Sequence, residues 1–83
     1  MPTPGLSKAF GIAVRARRQA LGYSQEILAE RAGLHPTYIS MVERGARNPT
    51  LDVAARVARA LRIGLPSLIE AAQSKRAGLS KRD

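Results

Sequence analysis

The sequence has no cysteine and no tryptophan, and its 83 residues include one phenylalanine, two tyrosines and one histidine. Without cysteine there is no disulfide framework, no thiolate metal site and no thiol redox switch. The single histidine, His35, leaves metal-ligand clusters and histidine-based catalysis with too few members. No apolar run approaches the roughly 18 residues of a membrane span. The apolar stretch 9–14 is short, and a basic cluster follows it instead of preceding it, which is not a signal-peptide pattern. The expectation is a cytoplasmic protein with no metal, no cofactor and no catalytic residues. With so few aromatics, the core has to be built from Leu, Ile, Val and Ala.

What the sequence does have is positive charge. Fourteen Lys+Arg stand against six Asp+Glu, a formal net charge of +8. That excess points to a polyanionic partner, with nucleic acid ahead of an anionic membrane surface. A chain of 83 residues makes one small domain. It buries only about 60% of its unfolded surface, so a second subunit would stabilise it.

No alternating strand pattern, repeat or low-complexity segment occurs, and the pattern is all-α. Residues 1–5, MPTPG, read as an irregular lead. The first helix is placed at about Ser7–Leu21, with Phe10, Val14 and Leu21 at helical spacing and Gly22 as the stop. Ser24 caps a second, about Gln25–Ala32, followed by Gly33. His35 is the N-cap and Pro36 the first residue of a third, about Pro36–Arg44, ended by Gly45. After the loop ARNP, Thr50 caps a fourth, about Leu51–Leu61, with the apolar stripe Leu51–Ala54–Val57–Ala58–Leu61. Pro66 opens a fifth, about Pro66–Gln73, which carries Leu65, Leu68, Ile69 and Ala72. The compact five-helix domain then spans 6–73, and residues 74–83 read as a basic, disordered tail.

The second and third helices are short and separated by about three residues with a glycine in the turn, which is a helix-turn-helix arrangement. The third helix has two faces. Ile39, Val42 and Glu43 share one side; Thr37, Met41 and Arg44 lie opposite, flanked by Tyr38 and Ser40. Such a helix fits a major groove about 12 Å wide. Two charges fall on apolar stripes: Arg18 beside Val14 and Leu21, and Glu43 beside Ile39. Each would be a costly buried ion alone. Either they pair and lock the first helix to the third, the arrangement preferred here, or both reach water separately.

The stretch RRQALGYSQEILAERAGLHPTYISMVERGARNPTLDVAARVARAL resembles the helix-turn-helix domain of the lambda/434 repressor and Cro superfamily, the XRE-type regulators. The resemblance runs from about Phe10 to Ile69. It rests on Ser24-Gln25-Glu26, Leu28-Ala29, Gly33, Tyr38-Ile39-Ser40, Glu43-Arg44-Gly45 and Asn48-Pro49-Thr50-Leu51. More narrowly, TYISMVERGARNPTL is similar to the controller proteins of restriction-modification systems, homodimers that regulate their own and the endonuclease genes.

The resemblance implies a compact lambda-repressor-like domain and a homodimeric, sequence-specific regulator of transcription on double-stranded DNA. It implies base contacts from Thr37, Tyr38, Met41, Arg44 and Arg47, and phosphate contacts from Gln25, Ser40 and Asn48. Arg18 and Glu43 match the superfamily's internal ion pair. Glu26 and Glu30 match positions that touch RNA polymerase in phage repressors. Two departures stand out. Pro36 has no side-chain donor where controllers often carry a polar residue, which moves specificity to Thr37, Met41 and Arg47. Arg62 stands where a glycine commonly ends the fourth helix, so the turn is expected to use Gly64 instead.

Arg56, Arg59 and Arg62 fall away from the fourth helix's apolar stripe and read as a solvated face. Leu65, Ile69 and Ala72 are the candidate dimer interface. A two-fold dimer would set two third helices about 34–36 Å apart, matching near-palindromic half-sites about 10 bp apart. The competing readings are a DNA-binding antitoxin or plasmid or phage repressor that also binds a protein partner, and a general nucleic-acid binder whose affinity follows salt alone.

Overall fold

Helix boundaries follow the capping chemistry of the sequence. A computed structural model describes residues 5–80, with side chains as far as Ser74. It contains α1 (Leu6–Ala20), α2 (Gln25–Ala32), α3 (Pro36–Glu43), α4 (Leu51–Ala60) and α5 (Leu65–Ser80). Ser24 Oγ accepts a hydrogen bond from the Ile27 amide at 3.0 Å, and Thr50 Oγ1 from the Val53 amide at 3.1 Å. His35 is also an N-cap: its Nδ1 accepts from the Thr37 amide at 3.1 Å, with Pro36 opening α3 behind it. Each satisfies an amide that the helix itself leaves unpaired, a contribution of about 1 kcal/mol. Gly33 closes α2 in the left-handed conformation with φ 70°.

α1 is the central strut. It packs against both α3 and α5; α2 touches α3 and α4, and α4 closes on α5. Phe10 and Val14 of α1, Leu28 of α2, Ile39 and Val42 of α3, Val57 of α4, Leu61 at its end and Leu68 of α5 form one buried cluster. Each such side chain contributes about 1.5–3 kcal/mol by leaving water. Among the described residues no helix is long and apolar enough to cross a membrane.

Four expectations need correction. α5 starts at Leu65 and continues to Ser80, so residues 74–80 are helical instead of a disordered tail. Lys, Arg and Ala are good helix formers and extend an existing helix once it is nucleated. Residues 1–4 and 81–83, which belong to the expected lead and tail, lie outside the described residues. Ala72 is wholly buried, so it belongs to the core and offers nothing to a dimer partner. Leu51 does the reverse: it is 79% exposed, because at the first position of α4 it overhangs the core that the rest of its stripe enters. Lastly, Arg62 itself, not Gly64, takes the left-handed turn after α4, with φ 59°. Arg17 braces this turn by donating from Nε to the Leu61 carbonyl (3.0 Å) and from Nη2 to the Arg62 carbonyl (3.1 Å). Without a glycine, that conformation costs about 1–2 kcal/mol.

Gly11 explains how closely α1 and α3 approach. A Cβ there would overlap the Val42 carbonyl oxygen and lie 2.7 Å from that of Glu43. A glycine inside a helix costs about 1 kcal/mol in propensity, and here the gain is a direct backbone approach. Gly11→Ala is therefore expected to lower stability by about 1–3 kcal/mol in denaturant unfolding, although alanine is the better helix former. An unchanged or raised midpoint would contradict this packing.

Candidate nucleic-acid interface

α3 is held by its inner face. Ile39 and Val42 are fully buried and Glu43 is 7% exposed. On the outer face, Thr37 and Arg44 are exposed and Met41 is half-buried, with half-buried Tyr38 and Ser40 on the shoulders. Arg44 Nε lies 3.4 Å from the Ser40 carbonyl, so this side chain lies back along its own helix. Arg47 and Asn48 are exposed in the loop that follows. Asn48 Oδ1 accepts from Ser7 Oγ, which ties the loop to the start of α1.

The anchor of this face is ionic. Arg18 Nε donates to Glu43 Oε2 at 2.6 Å and Arg18 Nη2 to Glu43 Oε1 at 3.1 Å, a bidentate pair. Arg18 Nη1 also donates to the Tyr23 carbonyl at 2.8 Å. Gln25 Nε2 donates to Glu43 Oε1 at 3.0 Å. One carboxylate thus binds the end of α1, the start of α2 and the end of α3. No buried side-chain polar atom among the described residues lacks a partner, so the cost of burying these ions is offset by their bonds. Gln25, expected to hold a phosphate, spends one amide hydrogen inward on Glu43.

Beside α3 runs a groove of about 550 Å³ in which Arg44 meets Lys8, Arg15 and Gln19 of α1. Lys8 and Arg15 were not singled out from the sequence. Their seven-residue spacing puts them on one face of α1, but their nearness to Arg44 depends on how α1 crosses α3 at Gly11. Glu26 and Glu30 are exposed on α2, one turn apart. No group of three or more His, Cys, Asp or Glu suited to a metal ion occurs among the described residues.

A second surface flanks the loop. Leu6 (41% exposed), Leu51 and Ile69 line an apolar groove of about 160 Å³ with Pro49 and Asn48. Leu65, expected at a dimer interface, is half-buried and packs against the core, while Ile69 keeps an outward edge.

Comparison with known proteins places this geometry in context. A protein-family model described as helix-turn-helix matches residues 14–68. An uncharacterized HTH-type transcriptional regulator of Mycobacterium tuberculosis is 43% identical over 53 residues, 64% of this chain and 38% of that protein. The chain therefore spans well under half the length of that relative. Control protein C.SmaI of Serratia marcescens is 48% identical over 56 residues, 68% of this chain and 67% of that protein. Among solved structures, the clp gene regulator ClgR from Corynebacterium glutamicum superposes with a TM-score of 0.94 at 30% identity, covering 98% of this chain and 86% of that one. The controller protein C.Esp1396I, solved as a tetramer with its natural 35 base-pair operator, gives 0.82 at 26% identity, covering 89% and 97%.

The buried pair sets a clear expectation. Glu43→Ala, which orphans Arg18, should cost about 3–5 kcal/mol in equilibrium unfolding. The double replacement Arg18→Met/Glu43→Met should recover most of that loss, because no unpaired ion remains. A Glu43→Ala protein as stable as the parent would contradict the network described.

Proposed function

The chain belongs to the helix-turn-helix family, and on that premise we propose that it is a DNA-binding regulator of transcription, without catalysis of its own, acting in the cytoplasm as a homodimer on a near-palindromic operator. The observation that carries this reading is the outward face of α3, with Thr37, Met41 and Arg44 facing away from a helix whose back is fixed by Glu43. A rigid helix presenting short polar groups, a thioether and an arginine matches the donor, acceptor and methyl pattern of the major groove.

In this reading Thr37, Tyr38, Met41, Arg44 and Arg47 approach base edges, and Gln25, Ser40 and Asn48 grip phosphates. Asn48 spends its carbonyl oxygen on Ser7 and keeps its amide hydrogens for DNA. Lys8 and Arg15 add phosphate contacts next to Arg44. The likeness to C.SmaI and to C.Esp1396I supports a controller role in which the protein regulates its own gene. Glu26 and Glu30, exposed on α2, are the surface offered to RNA polymerase when binding activates a promoter.

The dimer surface shifts from the one expected. With Ala72 in the core, the apolar groups near the proposed DNA-facing loop are exposed Leu51 and Leu6 and half-buried Ile69. The dimer proposed here pairs two copies over Leu51, and binding to a near-palindromic site requires its two α3 helices to lie about one DNA turn apart.

The reading is tested by selection, by salt dependence and by oligomeric state. Selection of bound duplexes from a random pool should return a two-fold site, and Thr37→Ala or Arg47→Ala should relax base preference at defined positions by about 1–3 kcal/mol. Arg15→Ala should reduce the salt slope by about 1 without changing the preferred sequence. Leu51→Glu should give monomers by sedimentation and lose cooperative binding to the full site. Tight binding of a wild-type monomer to a single half-site would overturn the dimer reading.

A further inference from the structure

On the molecule's flank, the C-terminal halves of α2 and α4 border an open cleft of about 510 Å³. Its lining is Arg31, Arg56, Arg59 and Arg62 with Ala32 and Ala60, and none of these is acidic. We infer that this cleft is an anion site for an oligophosphate, a short chain of linked phosphates either free or carried by a nucleotide. The inference is independent of the DNA reading, which uses other residues.

Three features support it. First, no carboxylate among the described residues forms an ion pair with these arginines. Arg56 and Arg59 are three residues apart on α4 and Arg62 follows in the turn, a spacing at which like charges repel. The one ion pair among the described residues, Arg18–Glu43, lies elsewhere. Arg62 moreover holds its place in a left-handed conformation that glycine would adopt without strain. An anion in the cleft relieves the repulsion.

Second, two of the four guanidinium groups, those of Arg56 and Arg31, are held in place. Arg56 donates from Nε to the Ala32 carbonyl at 3.1 Å and from Nη2 to the Gly33 carbonyl at 2.8 Å. It therefore neutralises the negative end of α2, which would otherwise repel an anion, and keeps Nη1 free. Arg31 lies over the Tyr23 ring, 5.0 Å from its centre. Arg17 braces the turn that carries Arg62. Ordering Arg56 and Arg31 beforehand lowers the entropy lost on binding.

Third, shape selects the ligand class. The volume falls within the range of small-molecule pockets, about 300–1,000 Å³. Four planar guanidinium forks match several phosphate groups better than one. The lining has no aromatic ring, and Arg31 already covers a face of Tyr23, so there is no platform for a base. The phosphate chain itself is what the site recognises.

The test is calorimetric titration and thermal unfolding of the full chain with tripolyphosphate, ATP and sulfate at matched ionic strength. Tripolyphosphate should bind and raise Tm, ATP should bind within about threefold of it, and sulfate should bind at least about tenfold more weakly. In the double variant Arg59→Ala/Arg62→Gly, tripolyphosphate affinity should fall at least about tenfold, since two charged hydrogen-bonding groups are lost. That variant removes an exposed side chain and relieves a strained turn, so it should fold, and its affinity for DNA and its salt slope should match the parent. The inference is overturned by sulfate binding as well as tripolyphosphate, by ATP binding where tripolyphosphate does not, or by a double variant that keeps its tripolyphosphate affinity. A double variant with a reduced DNA salt slope would also overturn it, by making the cleft part of the DNA surface.

Discussion

One buried carboxylate organises this protein. Glu43 sits at the end of α3 with Arg18 of α1 and Gln25 of α2 on its two oxygens. The arrangement works only because α1 and α3 run almost in backbone contact at Gly11. A longer separation would leave both ions buried and poorly paired, the costly outcome for charges in a low-dielectric interior. With the pair formed, rotation of α3 about its own axis is blocked, and its outer residues keep a fixed bearing. Precision in a reading helix comes from such support behind it more than from the reading side chains themselves.

Much of this was legible in the sequence because the signals were local. Ser24, His35-Pro36 and Thr50 mark helix starts by their own chemistry, and α2 fell on Gln25–Ala32 as its caps implied. Arg18 and Glu43 betrayed themselves by standing on apolar stripes. What the pattern did not show depended on how helices cross. Periodicity put Leu51 and Ala72 on apolar faces, but it cannot say where the core ends: Leu51 overhangs it and Ala72 sits inside it. The same blindness hid Lys8 and Arg15, whose neighbour Arg44 comes from a different helix. Gly11 was not singled out from the sequence either, and the crossing of α1 over α3 gives it its reason.

The charge of the chain is also unevenly spent. Lys8, Arg15, Arg44 and Arg47 lie around α3 and its following loop, where a polyanion is expected. Arg31, Arg56, Arg59 and Arg62 surround a separate cleft on α2 and α4. A sequence total of +8 merges these two groups. Because the two groups are separated in space, the proposed nucleic-acid face and the proposed anion cleft share no residues.

The most direct measurement of the central claim is a map of backbone amide chemical shifts on adding the duplex selected by the protein. The account predicts the largest changes at Thr37, Met41, Arg44 and Arg47 and at the start of α2, with Ile39 and Val42 little moved and the Arg18 Nε–H signal retained. Changes centred on α4 and α5, with α3 unmoved, would contradict it.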